Sequence, residues 1–178
     1  QAIAEALFGD YNPGGRLAVT FPKSVGQIPF AFPFKPGSDE SSETSVYGAL
    51  YPFGHGLSYT TFQYSDLAIS PSKQGVQGNI SISCTIKNIG QREGDEVVQL
   101  YLRDEVSSVT TYTQVLRGFE RITLKPEASH TVHFELTPQE LGIWDKQMNF
   151  TVEPGMFKVM IGSSSKDIRL KGEFEIAQ

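Results

Sequence analysis

The sequence has a single cysteine, no long hydrophobic run and no excess of basic residues. Cys84 has no second cysteine to pair with, which excludes an internal disulfide and leaves cytosol, periplasm and exterior all open. No apolar run approaches the roughly 18 residues that a membrane-spanning helix needs. The 15 basic and 20 acidic residues give a formal net charge of -5, which argues against nucleic-acid binding.

The composition is that of a folded, turn-rich protein. A length of 178 residues allows one full domain with a remainder, because domains average roughly 100 to 200 residues. Hydrophobic residues make up 39% of the chain and charged residues 20%, well inside the globular range. The 17 glycines and 10 prolines slightly exceed average usage, which favours many turns and therefore many strands.

The start of the chain has the pattern of a helix end followed by a strand. Ile3 and Leu7 fall at helical spacing, and Gly9 follows them as a candidate C-cap. Residues 12–15 (NPGG) are a dense turn signal, after which the apolar residues 16–21 predict a short buried strand. One helix and one strand cannot close a core, so we expect the rest of an α/β sheet to lie upstream and the N-terminus to be processed or truncated.

The stretch from residue 26 to about residue 61 has no steady hydrophobic period. It contains four prolines and a polar run at residues 38–45, which indicate a loop. A solvated linker is poor in aromatic residues, whereas this stretch is rich in them, so we expect an ordered loop whose rings pack on the rest of the protein. The aromatic residues in and next to it are Phe30, Phe32, Phe34, Tyr47, Tyr51, Phe53, Tyr59 and Phe62.

From about residue 66 onwards, apolar and polar residues alternate. Residues 80–86 place three isoleucines and Cys84 on one face and serine or threonine on the other, which is typical of a half-buried strand. The pattern returns four more times between turn signals, which predicts an antiparallel β-sandwich of the immunoglobulin or fibronectin type III kind over residues 66–178. The residues predicted to face inward are Ile82, Cys84, Ile86, Leu100, Leu102, Phe134, Val159 and Ile161.

Histidine and tryptophan residues could carry chemistry, but each has a simpler explanation that we favour. His130 and His133 lie three residues apart, which on a strand places them on opposite faces, so a metal site is not expected. His55 lies between two glycines, where it would be an ordinary loop histidine or contact a ligand. Trp144 would pack in the core or at an edge of the sandwich, or else stack on a sugar.

Two clusters of carboxylates occur in predicted loops and turns. The cluster at residues 93–96 is predicted to be the solvated face of a turn. Asp39, Glu40 and Glu43 lie in the polar loop, where substrate contact is an open alternative to solvation. Acid-base catalysis by paired carboxylates needs the two groups held about 5 to 10 Å apart in a shaped pocket, and no such pair can be recognised here. The residues alone therefore reveal no catalytic constellation.

The chain contains several long and specific motifs. They are LFGDYNPGGRL (residues 7–17), VTFP (19–22), GQIP (26–29), LYPFGHGLSYTTF (50–62), NIG (88–90), GDEVVQLY (94–101), LRGF (116–119) and VEPG (152–155). Together they resemble the C-terminal region of the β-glucosidases of glycoside hydrolase family 3, and the resemblance covers nearly the whole chain. One departure is His55, where the family often has a tyrosine.

The resemblance implies a fold class and a division of the chain. Residues 1–65 are similar to the C-terminal end of the family's α/β sandwich domain and its connecting loop, and residues 66–178 to its fibronectin type III-like domain. The expected fold is thus mainly β, an immunoglobulin-like β-sandwich preceded by the last helix and strand of a truncated α/β sandwich domain.

The resemblance also implies a function for the parent protein. In the family a nucleophilic aspartate comes from an N-terminal barrel, and the acid/base glutamate comes from the α/β domain upstream of the matched segment. We therefore expect a β-glucosidase parent that hydrolyses terminal β-D-glucosides, while this portion lacks the catalytic pair, supports the structure and is inactive alone. The expected partners are the upstream barrel and α/β domains and a β-glucoside or oligosaccharide substrate. No cofactor, metal, nucleic acid or membrane is expected, and a periplasmic or secreted location is favoured.

One loop is a candidate for substrate contact. Residues 35–47 occupy a stretch that varies within the family and follows a strand end of the α/β domain, where ligand-facing loops collect. A surface loop without substrate contact is the simpler interpretation, and a loop that borders the aglycone side of the active site is the alternative. Under the alternative, the substrate-binding candidates are Lys35, Asp39, Glu40, Glu43 and Tyr47.

A second class of function is a stand-alone carbohydrate- or protein-binding β-sandwich module. Residues 1–65 separate the two classes, because a free module has no reason to carry the tail of another domain's sheet. This segment favours the hydrolase portion. The sequence does not specify the sugar, the linkage or the oligomeric state.

Overall fold

A computed structural model describes residues 1–38 and 48–177 of the protein. The main body is a sandwich of two β-sheets. In chain order its elements are α1 (Ala2–Phe8), β1 (Phe21–Pro22), a 3-10 helix (Val25–Gln27), β2 (Ala49–Tyr51), β3 (Phe62–Ser70), β4 (Lys73–Gly75), β5 (Ile80–Asn88), β6 (Gly94–Asp104), β7 (Val115–Leu124), β8 (Ser129–Leu136), α2 (Pro138–Leu141), β9 (Ile143–Trp144), β10 (Phe150–Thr151), β11 (Gly155–Gly162) and β12 (Ile168–Ala177).

The two sheets pack face to face, as predicted for an immunoglobulin-like sandwich. The larger sheet has the strand order β4-β12-β11-β6-β7, and the smaller has the order β3-β5-β8. All neighbours in them are antiparallel except β4 and β12, which are parallel. Two short hairpin-like pairs, β1-β2 and β9-β10, complete the described sheets. None of the helices in the described ranges is long and apolar enough to cross a membrane.

The core of the sandwich follows the alternation of the sequence. The inward-facing residues of β5, β6 and β11 are buried on one side of each strand, because successive side chains point to opposite faces. Of the eight residues predicted to face inward, seven are buried and Phe134 is half-buried against the core cluster, which confirms the prediction. Each fully buried aliphatic or aromatic side chain contributes roughly 1.5–3 kcal/mol to folding.

Asn88 closes the end of β5 with a complete set of hydrogen bonds. It is fully buried, and its Nδ2 donates to the carbonyl oxygens of Arg92 at 2.7 Å and Leu124 at 2.9 Å. Its Oδ1 accepts hydrogen bonds from Thr60 Oγ1 at 2.6 Å and from the Gly90 amide at 3.0 Å. The NIG motif therefore ties the turn after β5 to the segment that enters β3.

The first residues form the predicted helix but not the predicted strand. α1 ends at Gly9, whose φ of 84° lies in the left-handed region that glycine tolerates. The prediction of a strand at residues 16–21 is wrong, since only Phe21 and Pro22 join a ladder. Leu17 instead donates its amide to the His55 carbonyl and accepts from the Gly54 amide. The apolar run therefore contacts other residues, as predicted, but its backbone partners lie mostly in the turn at residues 54–55 and not in a neighbouring strand.

The N-terminal segment covers part of the outer face of the five-stranded sheet. Gln99 and Tyr101 point away from the sandwich core, yet they are only 3% and 0% exposed. Phe32 stacks on Phe53 at 4.5 Å and meets the Tyr101 ring edge-on at 5.7 Å. The Gln99 Nε2 donates to the Gly54 carbonyl at 3.3 Å. The expectation that the loop aromatics pack on the rest of the protein is confirmed for these rings.

Candidate functional site

Gln27 fixes the base of the loop that contains the substrate-binding candidates. Its side chain is buried, and its Oε1 accepts hydrogen bonds from the amides of Lys23 at 2.6 Å and Ser24 at 3.2 Å. Its Nε2 donates to the Gly48 carbonyl at 3.0 Å. One glutamine thus joins the chain entering the loop to the chain leaving it.

The loop then runs along the sandwich towards Lys35. The Phe34 carbonyl accepts hydrogen bonds from the Thr113 amide at 2.9 Å and from Thr113 Oγ1 at 3.2 Å. The Lys35 carbonyl accepts from the amide and hydroxyl of Ser38, which forms a turn. The other four substrate-binding candidates, Asp39, Glu40, Glu43 and Tyr47, lie outside the described residues.

Lys35 lines a cleft of about 290 Å³ at the end of the sandwich, where β6 ends and β7 begins. We call it the end cleft. Its floor is apolar, because core residues at the ends of the strands reach it, and its rim carries aromatic and charged side chains. The floor includes Leu102, Val115, Leu141 and Phe157, and the rim includes Lys35, Asp104, Tyr112, Arg117, Glu140 and Trp144.

The end cleft contains a basic side chain, Arg117, and an acidic side chain, Glu140, whose pKa values are shifted by different causes. Arg117 is an extra residue in β7 beside Gly118, where the register of β6 and β7 shifts. Burial lowers the pKa of its guanidinium, and the negative charge of Glu140 partly offsets that effect. A hydrogen bond from Thr137 lowers the pKa of Glu140. Arginine stays protonated in proteins, and the lowered pKa favours the ionised form of Glu140. Burial raises the pKa of Asp104, which lies beside the floor.

Trp144 lies on the surface and not in the sandwich core. The side chain is 59% exposed, and its ring meets Phe150 of the paired strand at 5.5 Å and 63°. Asp145 closes the hairpin by accepting hydrogen bonds from the amides of Gln147 and Asn149, both at 2.8 Å. These contacts hold the indole at the rim of the end cleft, so packing against an edge is observed while one face of the ring stays in solvent.

A larger groove of about 690 Å³ lies on the outer face of the five-stranded sheet. Lys158 and Arg103 line it, and both pair with Glu105, at 2.8 Å and 3.1 Å. Lys166 lies over the Phe34 ring at 5.4 Å. Most of the positively charged side chains that line this groove therefore already contact an acidic or aromatic side chain of the protein.

The histidines have structural contacts. His55 stacks on Tyr51 with ring centroids 5.1 Å apart, and its carbonyl accepts the Leu17 amide. His130 and His133 are both exposed on β8, and His130 lies 3.7 Å from Glu120. Among the described residues no group of three or more histidine, cysteine or acidic side chains is arranged to hold a metal ion.

The carboxylates at residues 93–96 are not all solvated, and this prediction is wrong for Glu96. Its side chain is 5% exposed and pairs with Arg16 at 2.8 Å, which is itself 8% exposed. Burial raises the pKa of Glu96, while Arg16 acts to lower it. The nearby Tyr64 hydroxyl is buried without a hydrogen bond to any described residue. Local composition could not reveal this cluster, because Arg16 comes from 80 residues earlier in the chain.

Large apolar side chains are exposed mainly on the first third of the chain. Within the described ranges, twelve of the twenty exposed large hydrophobic residues fall in residues 1–59. Contiguous apolar patches of several hundred Å² on a protein surface mark places where another surface binds. The twelve are Ile3, Leu7, Phe8, Tyr11, Val19, Phe21, Val25, Ile28, Leu50, Tyr51, Leu57 and Tyr59.

Two family models match this chain, one over its first third and the other within the sandwich. Residues 1–59 match the glycosyl hydrolase family 3 C-terminal domain, and residues 96–165 match the fibronectin type III-like domain. The order of the two matches is the order in which the structure places the N-terminal segment and the sandwich.

Similar proteins are glycosidases much longer than this chain. A periplasmic β-glucosidase of Salmonella typhimurium is 43% identical over 99% of the chain and 24% of its own length. A β-xylosidase of Formosa agariphila is also 43% identical, over 96% of the chain and 24% of its own length. The chain spans about a quarter of the length of these relatives.

Solved structures agree with the sequence matches. A β-glucosidase of Erythrobacter marinus superposes with a TM-score of 0.92 at 38% identity, covering 99% of this chain and 23% of the other. A β-glucosidase of Listeria innocua in complex with glucose superposes with a TM-score of 0.89 at 31% identity, covering 99% and 26%. The helix, the rest of the N-terminal segment and the sandwich all fall within these alignments, and the chain belongs to glycosyl hydrolase family 3, as part of its C-terminal region.

Proposed function

We propose that this chain is the C-terminal portion of an enzyme that hydrolyses terminal β-D-glucosides with retention of configuration, and that it supports the structure without supplying the catalytic pair. The observation that carries the proposal is the match of nearly the whole chain to about a quarter of the length of β-glucosidases. A stand-alone binding module does not account for that match, nor for the segment that precedes the sandwich.

The exposed apolar residues of the N-terminal segment fit a role in domain packing. They belong to the part of the chain that matches the family 3 C-terminal domain. Burying an apolar side chain of this size contributes roughly 1.5–3 kcal/mol, so an upstream domain that covered these residues would be held strongly. The proposed partners are therefore the barrel and α/β domains of the same enzyme. The periplasmic relative supports a periplasmic or secreted parent.

The proposed division of labour is tested by incubating the purified 178-residue chain with an aryl β-glucoside. Retaining hydrolysis requires two carboxyls about 5 to 5.5 Å apart on either side of the bond. The expected result is no turnover above buffer, whereas the full-length enzyme that contains this chain turns the substrate over. Turnover by the chain that Glu40→Gln or Glu43→Gln abolishes would contradict the proposal and move the active site into this loop.

A β-xyloside is a second candidate substrate. The β-xylosidase of Formosa agariphila and the β-glucosidase of Salmonella typhimurium are equally identical to this chain, so overall identity does not distinguish them. Comparing kcat/KM of the full-length enzyme on aryl β-glucoside and aryl β-xyloside decides between the two. We expect the glucoside to be preferred.

We further propose that the domain boundary lies between residues 65 and 66.

We also propose that the loop bearing Lys35, Asp39, Glu40, Glu43 and Tyr47 borders the aglycone side of the active site. The hydrogen bonds by which Gln27 joins Lys23 to Gly48 at the base of the loop support this proposal. In the full-length enzyme, Lys35→Gln should then raise KM for a disaccharide and leave kcat unchanged. An unchanged KM for Lys35→Gln and for Glu40→Gln would favour a surface loop without substrate contact.

A further inference from the structure

The end cleft presents an aromatic surface that nothing in the described residues covers. Trp144 is 59% exposed and Tyr112 is 45% exposed, and both line the cleft. The indole is held in place by Phe150 and by the Asp145 turn. A ring that is both fixed and exposed gains contact with a ligand without losing conformational freedom when the ligand binds.

Polar groups stand beside these rings with hydrogen-bonding capacity unused. No described residue accepts a hydrogen bond from the side chains of Lys35 or Arg117, although both line the cleft. Glu140 supplies an ionised carboxylate on the same rim. The guanidinium donates in a planar fork and the carboxylate accepts, so both kinds of partner for a hydroxyl are present.

The size of the end cleft favours a small ligand over a protein. Its volume of about 290 Å³ lies just below the roughly 300–1,000 Å³ of small-molecule sites, and its floor is apolar as in such sites. A stable protein interface instead needs roughly 800 Å² from each partner.

We propose that the end cleft binds a β-linked oligosaccharide, with the C–H face of one sugar ring on Trp144 and its hydroxyl groups on Arg117, Glu140 and Lys35. A pyranose has an apolar face of C–H bonds and an edge of hydroxyls that both donate and accept. The rim offers an aromatic face next to a cation and a carboxylate, which match the two parts of the sugar. The choice of β-linked sugars rests on the proposed function, whereas the site itself rests on the geometry of the cleft.

The single tryptophan of the chain makes the binding directly observable. The 178-residue chain is titrated with cellotetraose, xylotetraose and, as an α-linked comparison, maltotetraose, while the tryptophan emission is recorded. We expect a saturable blue shift with at least one β-linked probe and at least tenfold weaker binding of maltotetraose. No saturable shift with either β-linked probe, or equal binding of all three, would overturn the proposal.

Substitutions then locate the site. Trp144→Ala, followed by calorimetry because it removes the fluorophore, should weaken binding at least tenfold, and Arg117→Gln should weaken it at least fivefold. Phe119→Ala is the matched control, since Phe119 is 67% exposed on the same strand as Arg117 and does not line the cleft. It should change binding less than twofold. Thermal unfolding of each variant checks that it is folded. If Trp144→Ala does not fold, the binding measured with Arg117→Gln decides the test.

Binding that neither variant weakens would place the sugar elsewhere and overturn the proposal. The test is also separate from the proposed function. Binding is measured on the 178-residue chain with probes that need not be hydrolysed, so it does not depend on glucosidase activity. An enzyme with no glucosidase activity whose end cleft still binds β-linked probes would refute the proposed function and leave this inference intact.

Discussion

At the scale of single residues, the reactivity of Cys84 follows from its burial. The side chain lies in the core, and burial raises the pKa of its thiol to about 11. Because the thiolate is the reactive form, roughly one thiol in a thousand would be ionised at pH 8 even with access to solvent. We expect native labelling by a thiol reagent to be at least a thousandfold slower than labelling in denaturant. Ready native labelling would show that the face of β5 is assigned wrongly.

Asp95 gives a prediction about pH. A hydrogen bond from Thr123, followed by the interaction with Arg121, lowers the pKa of Asp95 below its ordinary value. A carboxyl whose folded pKa is lowered stabilises the protein above its unfolded pKa of roughly 4 and loses that contribution as the pH falls through the folded value. Asp95→Asn should therefore reduce the free energy of unfolding by about 0.5–1 kcal/mol at pH 7, since solvent screens the pair.

The difference between Asp95→Asn and the unmodified protein should disappear as the pH falls below the lowered pKa of Asp95, as measured by urea unfolding across the pH range. Glu93→Gln is the matched control, because Glu93 is an exposed carboxylate in the preceding turn. It should stay within about 0.5 kcal/mol of the unmodified protein at every pH. A pH-independent loss in Asp95→Asn would show that the hydrogen bonds act without the charge.

At the scale of elements, the N-terminal segment fits closely against the outer face of the five-stranded sheet at Gly54. Its φ is 81°, and a Cβ there would lie 2.1 Å from Gln99 Oε1. Gly37 has nearly the same φ of 80° but open space around it. Both changes to alanine carry the backbone cost of the left-handed region, about 1 kcal/mol, but only Gly54→Ala must also displace Gln99. We expect Gly54→Ala to lose about 2–4 kcal/mol of unfolding free energy and Gly37→Ala about 1 kcal/mol.

Chemical denaturation of the two variants checks this, and limited proteolysis shows whether residues 1–60 detach first. Equal losses in Gly54→Ala and Gly37→Ala would mean that the segment does not fit the sheet as described.

The alternation of the sequence was sufficient to predict β5, β6 and β11, because burial on one face of a strand is written in every second residue. The same rule failed for Gln99 and Tyr101, which are polar or amphipathic and lie on the outer face. Their burial depends on Phe32 and Gly54, which are 45 to 69 residues away in the chain. Glu96 was missed for the same reason, since its partner Arg16 lies 80 residues away in the chain.

The candidate site was predictable only in part. Lys35 could be selected from the loop in which it lies, and Trp144 could be singled out as a possible sugar platform. Their shared position in the end cleft depends on how the end of β6, the start of β7 and the β9-β10 hairpin meet. No local pattern encodes that meeting, because it results from the packing of the two sheets.

At the scale of the whole molecule, stability should differ sharply between the sandwich and the first helix. α1 has seven residues with none buried, and so short a helix is marginal without packing. In hydrogen-exchange measurements on the 178-residue chain, amides of α1 and of residues 18–21 should exchange near intrinsic rates. Amides in β5 should be protected to the level of global unfolding. Slow exchange in α1 would contradict this, whereas protection of α1 in the full-length enzyme would agree with an upstream domain covering it.

The layer formed by residues 17–34 and 48–54 over the outer sheet also constrains how such proteins recombine during evolution. A genetic crossover placed between residues 65 and 66 would transfer a sandwich whose Gln99 and Tyr101 had lost the surface that buries them. A viable chimera would have to acquire a matching Phe32 and Gly54, or exchange the outer face of β6 in the same event. The inheritable unit is therefore larger than the proposed domain of residues 66–178, and it begins before the first strand of the sandwich.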